Sequence, residues 1–139
     1  KDPPIPITLF YQNNSAVAAG SQAYGFASSS SLASRFVVPT GKSFVVTCVS
    51  GTLDTGATAG TYTMNLIGRK NGATNVTLVQ TVQTVTSTIY YVAAVGTLAA
   101  PLVTYAAGDY IQVGFENAGT SPGAMGTNNR LCLVSGVLI

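Results

Sequence analysis

Apolar positions in this chain come in short runs rich in Val, Ile, Phe, Tyr and Thr, separated by clusters of Gly, Ser, Asn and Pro, with hardly any stretch of helical period. The last run, Asn129 to Ile139 (NRLCLVSGVLI), is the most telling. Leu131, Leu133, Val134, Val137, Leu138 and Ile139 make it too short for a membrane helix and apolar enough for a sheet interior. A terminus of this kind is expected to be tied into a sheet rather than frayed. Upstream, Ile7 to Gln12 reads as a first strand. Asn13 to Ser34, with its Ser28 to Ser31 tract, reads as loop with one or two edge strands. Arg35 to Pro39 leads through the Thr40-Gly41 turn into a buried strand at Ser43 to Ser50, and Gly51 to Gly60 reads as a loop. Thr61 to Arg69 runs into Lys70-Asn71-Gly72, where Asn-Gly predicts a hairpin because both residues tolerate positive φ, and Asn75 to Val85 is the return strand. Thr86 to Val95 follows. Pro101 demotes Leu98 to Tyr105 to an edge or bulged strand, since proline has no N–H for the ladder. A turn at Ala107-Gly108-Asp109 opens a strand at Tyr110 to Phe115, and a loop from Asn117 to Asn129 precedes the terminal strand.

Short strands at spacings of roughly 8–12 residues predict an all-β antiparallel sandwich and leave no room for the crossover helices of a parallel fold. A length of 139 residues fits one core. Three prolines in Lys1 to Pro6 make residues 1–6 read as an extended linker from an upstream segment, with 7–139 as the single globular domain.

Composition changes the picture in one respect. The chain is 47% hydrophobic but only 7% charged, so solubility must come from its 18 Thr, 12 Ser, 8 Asn and 5 Gln, a neutral hydroxyl and amide surface suited to a virion or extracellular shell. The net charge of +2 comes from six scattered basic residues, of which only Arg69 and Lys70 are adjacent. Phosphate affinity scales with the number of such contacts, so no nucleic acid partner is expected. No apolar run approaches the length of about 18 residues that a membrane helix needs, so no membrane insertion is expected either.

The search for chemistry is mostly negative. With no His in the chain, His-based catalytic triads and metal sites are unavailable. Gly119-Thr120-Ser121-Pro122-Gly123 has the spacing of a nucleophile elbow but lacks the strand-to-helix context and the His, and reads as a loop. The acids are Asp2, Asp54, Asp109 and Glu116. Asp109 reads as a turn residue beside Gly108, Glu116 as solvated, and Asp54 as too isolated for a calcium site, which recruits several carboxylates. No metal, cofactor or enzymatic activity is expected. Cys48 and Cys132 lie in apolar strand patterns and read as buried free thiols, with a single bridge as the other option. Two N-glycosylation sequons, at Asn13 and Asn75, are what a Thr- and Asn-rich composition produces unaided.

Four segments carry a resemblance. They are FVVPTGKSFVVTCVS (Phe36 to Ser50), YTMNLIGRKNG (Tyr62 to Gly72), AAGDYIQVGF (Ala106 to Phe115) and the closing LVSGVLI. In this order they resemble the trimeric jelly-roll heads of the C1q and tumour-necrosis-factor superfamily, and the similar heads of bacteriophage fibres and spikes and of bacterial spore filaments. Val137 stands where the family usually has an aromatic, and the region before Arg35 matches poorly. The resemblance implies two antiparallel sheets. One would combine the Ser43 to Ser50, Leu98 to Tyr105 and Leu131 to Ile139 strands and face a threefold axis, with Phe44, Val103, Tyr105 and Leu133 at the homotrimer interface. That arrangement would explain strands that are apolar on both faces.

The function expected on this basis is that of a non-enzymatic trimeric head of a virion spike or tail fibre, displayed on a virion or extracellular surface. It would attach to a host receptor or surface glycan and be carried on an upstream stalk or capsid-binding domain. Candidate receptor-binding residues lie in loops: Tyr24, Arg69, Lys70, Asn71, Asn128, Asn129 and Arg130. The alternatives are a ligand-free trimerisation head of a collagen-like filament and a small jelly-roll capsid or decoration subunit.

Overall fold

The computed structural model describes residues 2–25, 35–119 and 123–139, so the Ser28 to Ser31 tract and the middle of the Gly119 to Gly123 motif lie outside the described residues. Ten strands run through the described part: β1 (Ile5–Asn13), β2 (Gln22–Gly25), β3 (Phe36–Val37), β4 (Phe44–Asp54), β5 (Tyr62–Lys70), β6 (Thr74–Gln83), β7 (Ile89–Val95), β8 (Val103–Tyr105), β9 (Tyr110–Ala118) and β10 (Arg130–Leu138). There is no helix among these residues. Every pairing is antiparallel, in two five-stranded sheets. The first has the order β1-β10-β4-β7 with β8 also on β4, and the second β2-β9-β5-β6 with β3 also on β9. They form a β-sandwich, and the terminal strand β10 lies inside the first sheet, paired on both sides.

Local chemistry explains most of these boundaries. Asn71 and Gly72 adopt φ of 53° and 69°, and Ala73 N–H donates to Lys70 O at 3.1 Å, so the Asn-Gly hairpin forms as its residues dictate. Both β7 and β8 pair with β4, along Cys48–Asp54 and Phe44–Val46 respectively. They are two halves of one edge, interrupted by the excursion that contains Pro101. Two expectations need correcting. The stretch from Gly51 to Asp54 belongs to β4 rather than to a loop. Gly51 marks a close approach there: a Cβ would lie 2.0 Å from Leu131 O. The first strand also begins at Ile5, inside the segment read as linker. Its Pro6 is tolerated because β1 is a sheet edge.

The core fills the space between the sheets. Leu9, Tyr11, Val46, Val49, Val134 and Leu138 from the first sheet meet Met64, Leu66, Ile111, Val113 and Phe115 from the second. Phe44 is 0% exposed, stacks on Tyr105 at a centroid distance of 6.4 Å and meets Phe36 edge-on at 5.7 Å. Phe44 and Tyr105 are therefore spent within the subunit, while Val103 is half-buried against the same core. Leu133 is different and stands on the outer side, as described below.

Both cysteines are free. Cys132 is buried, and desolvation pushes its thiol up to about 12, a backbone hydrogen bond from Gly114 opposing the shift only in part. Burial likewise holds the Tyr105 phenol well above its ordinary value, with the charge of Asp109 adding to the effect.

Candidate functional site

The two outer faces differ in chemistry. On the first sheet the outward positions form cross-strand rows: Pro6–Val137–Val45–Thr104, Thr8–Ser135–Cys48–Val95 and Phe10–Leu133–Ser50–Ala93. No row carries a charge. Alternation places these side chains together, since one strand face takes every second residue. Tyr91 and Val95 stand out at 83% and 78% exposure. Beside Tyr91 lies an apolar hollow of about 470 Å³ lined by Ser50, Gly51, Thr52, Val92, Ala93, Leu131 and Leu133. A protruding ring and a hollow thus share one uncharged face.

The outer face of the second sheet is a polar ladder. Gln22 Nε2 donates to Glu116 Oε2 at 3.1 Å, Asn65 Nδ2 donates to Glu116 Oε1 at 2.7 Å, and Gln80 Nε2 donates to Asn65 Oδ1 at 2.9 Å. Glu116, expected to be solvated, is instead held in this ladder. Farther along, Tyr24 and Ile67 both pair with Gly114, and the Arg69 guanidinium lies 4.6 Å from the centroid of the Tyr24 ring. Arg69 also donates to Asn75 Oδ1 at 2.8 Å and to Gly72 O at 2.6 Å. A second stack, Arg35 over Tyr110 at 4.5 Å, stands next to the hairpin. Asn71 ties that hairpin to β9: its Oδ1 accepts from Tyr110 N–H at 2.9 Å and its Nδ2 donates to Asp109 Oδ1 at 3.2 Å. Lys70 Nζ is 3.8 Å from Asp109 Oδ2, and Ala106 N–H donates to the same oxygen at 2.9 Å, so Asp109 is a turn residue as expected. Four of the loop candidates, Tyr24, Arg69, Lys70 and Asn71, therefore meet in one place.

Asn128, Asn129 and Arg130 lie at the opposite end of the sandwich, where β1 and β4 end and β5 and β10 begin. Arg130 cannot contact a receptor there. It is fully buried and its Nη1 lies 2.6 Å from Asp54 Oδ1, itself buried. The guanidinium further donates to Gly126 O at 2.7 Å, to Asn13 Oδ1 at 3.0 Å and to Ser15 O. Asp54 Oδ2 accepts from Asn128 N–H at 3.0 Å and from Asn128 Nδ2 at 3.1 Å. This knot stitches the β1 end, the β4 end and the 123–129 loop together. It leaves Asp54 no oxygen free for a cation, and no cluster of three or more metal-ligating side chains occurs among the described residues. A polar cleft of about 400 Å³, lined by Thr55 to Thr58, Ser87 and Ala124 to Asn128, flanks the knot on one side. A second, of about 340 Å³, holds Asn129 beside Asn13 to Ser15. The knot was hidden from sequence because its two charges lie 76 residues apart. Comparison of the chain with protein-family models, with curated proteins and with solved structures gave no significant match.

Proposed function

We propose that this chain is a jelly-roll head that assembles as a homotrimer and serves, without enzymatic activity, as the attachment tip of a virion spike, tail fibre or comparable surface filament. The strand orders β1-β10-β4-β7 and β2-β9-β5-β6 support this reading, since from β1 to β5 every strand but the short β3 alternates between the sheets with its predecessor and the β5–β6 hairpin stays within one sheet. The observation that carries the assembly is the uncharged outer face of the first sheet. The exposed Tyr91 and Val95 and the apolar hollow on this face are the kind of surface that marks an interaction site. Identical copies can bring such faces together without like-charge repulsion. A protruding Tyr91 ring beside a hollow suits a head-to-tail contact, which closes into a ring when its rotation permits. The polar second sheet would then face outward. Three copies of a weak site on one rigid head gain avidity without new contacts.

Attachment is tested by adsorption. A fluorescent head is expected to bind cells bearing its receptor, saturably and in competition with unlabelled head. A trimer that adsorbs to no cell or envelope surface would reduce the domain to a trimerisation cap.

A further inference from the structure

Three of the basic residues, Arg35, Arg69 and Lys70, stand close to one hairpin. Lys42 pairs with Asp2 at 3.4 Å and Arg130 with Asp54, while Glu116 on the outer face of the second sheet is bound by the amides of Gln22 and Asn65. Beside the hairpin, Arg35, Arg69 and Lys70 stand against Asp109, a formal local excess of +2. These groups share one structure. Gly72 links the two cation–aromatic stacks: its carbonyl accepts from Arg69 Nη2, and a Cβ on it would lie 2.4 Å from the Tyr110 hydroxyl. Asp109 is already committed to the Ala106 N–H, the Asn71 amide and Lys70. Among the described residues neither arginine has a carboxylate partner.

From this arrangement we infer that the Arg35–Tyr110 and Arg69–Tyr24 stacks form a subsite for an anionic saccharide, one bearing a carboxylate or a sulfate. This deepens the attachment reading and rests on it. Arg35, exposed and 4.5 Å above the Tyr110 ring, has a guanidinium N–H edge of the kind that grips a carboxylate or sulfate, while Arg69, whose Nη atoms already donate to Asn75 and Gly72, adds chiefly its charge. The stack also holds that edge still, so less side-chain entropy is lost on binding. The surrounding Asn71, Asn75 and Tyr110 supply neutral polar groups of the kind that meet sugar hydroxyls. A polyanion such as nucleic acid is disfavoured, because three cations neutralise too few phosphates for useful affinity.

The test is a titration of the intact protein followed by amide NMR. The probes are 3′-sialyllactose, lactose 3′-sulfate, neutral lactose and a short single-stranded DNA. The acidic sugars are expected to shift Tyr24, Gly72 and Tyr110 with millimolar affinity that weakens as salt is added, and the comparison between them tells carboxylate from sulfate. Arg35→Ala, at an exposed site, is expected to weaken this binding roughly tenfold, as loss of one charge-assisted hydrogen bond implies. Equal shifts with lactose, shifts confined to the polar clefts at the other end, no shifts at all, or tighter binding of the DNA would each overturn the subsite. The titration reads a single site. A trimer with no acidic-sugar response refutes this inference alone, whereas a monomer that binds refutes the assembly and keeps the subsite.

Discussion

At the residue scale the most consequential group is the buried pair of Asp54 and Arg130. Two charges taken out of water are tolerable only while each satisfies the other, and removing one leaves the second stranded. Asp54→Asn is therefore expected to destabilise the fold by about 3–5 kcal/mol, seen as a lower midpoint in chemical denaturation. Replacing both by apolar residues of similar volume should cost less than the single change. Equal losses would show that the knot acts through its shape rather than its charge. Cys132 makes a prediction in pH. Its thiol is held protonated to about 12 in the folded protein against an ordinary 9.0, so the unfolded chain releases a proton that the folded one keeps. That stability is complete below pH 9.0 and is lost as the pH rises toward 12, with Tyr105 acting in the same direction from 10.0 upward. Denaturation midpoints should fall across this window, and less steeply in Cys132→Ala. A wild-type midpoint that stays level there would contradict the assignment.

At the scale of elements, what could be read from sequence was whatever depends on local chemistry. The Asn71-Gly72 hairpin, the Gly108-Asp109 turn and the terminal strand follow from φ preferences and short-range pattern. Membership of β4, β8 and β10 in one sheet is instead implied only by the resemblance of the four segments to jelly-roll heads. What escaped depends on register between distant segments. Gly51 looked like a turn because a glycine forced by close approach to Leu131 has the same letter as one forced by positive φ. Glu116 looked solvated because its partners Gln22 and Asn65 lie on other strands, and Arg130 looked like a loop cation because Asp54 does. Of the loop candidates, the four that converge near the hairpin could be named but not brought together by sequence. Phe44 and Tyr105, expected at an interface, are buried between the sheets, since strand alternation fixes which residues share a face but not which face is inward. The terminal strand yields a direct test. Val137 and Leu138 pair with Val45 and Phe44 on one side and with Pro6 and Ile5 on the other, and Ile139 exchanges hydrogen bonds with Ser43. Deleting Val137 to Ile139 should abolish cooperative melting by circular dichroism. A truncated protein that melts at the wild-type temperature would show that β10 is dispensable at its end.

The described residues form a sandwich with one uncharged outer face and one polar outer face, with Arg35, Arg69 and Lys70 beside the hairpin on the polar side. On the proposed function, the uncharged side would meet identical copies and the polar side the attachment partner. This arrangement also predicts the behaviour of Cys48, which lies in the row Thr8–Ser135–Cys48–Val95. Its thiol should react slowly in the assembled protein and faster once the faces separate. The central claim is that the first sheet's outer face joins identical copies, and light-scattering mass in dilute buffer tests it most directly. The wild-type protein should have the mass of three 14.2 kDa chains, and Tyr91→Lys, altering a ring that is 83% exposed in the single chain, should return a folded monomer. A monomeric wild type, or a Tyr91→Lys variant that remains trimeric, would contradict the account.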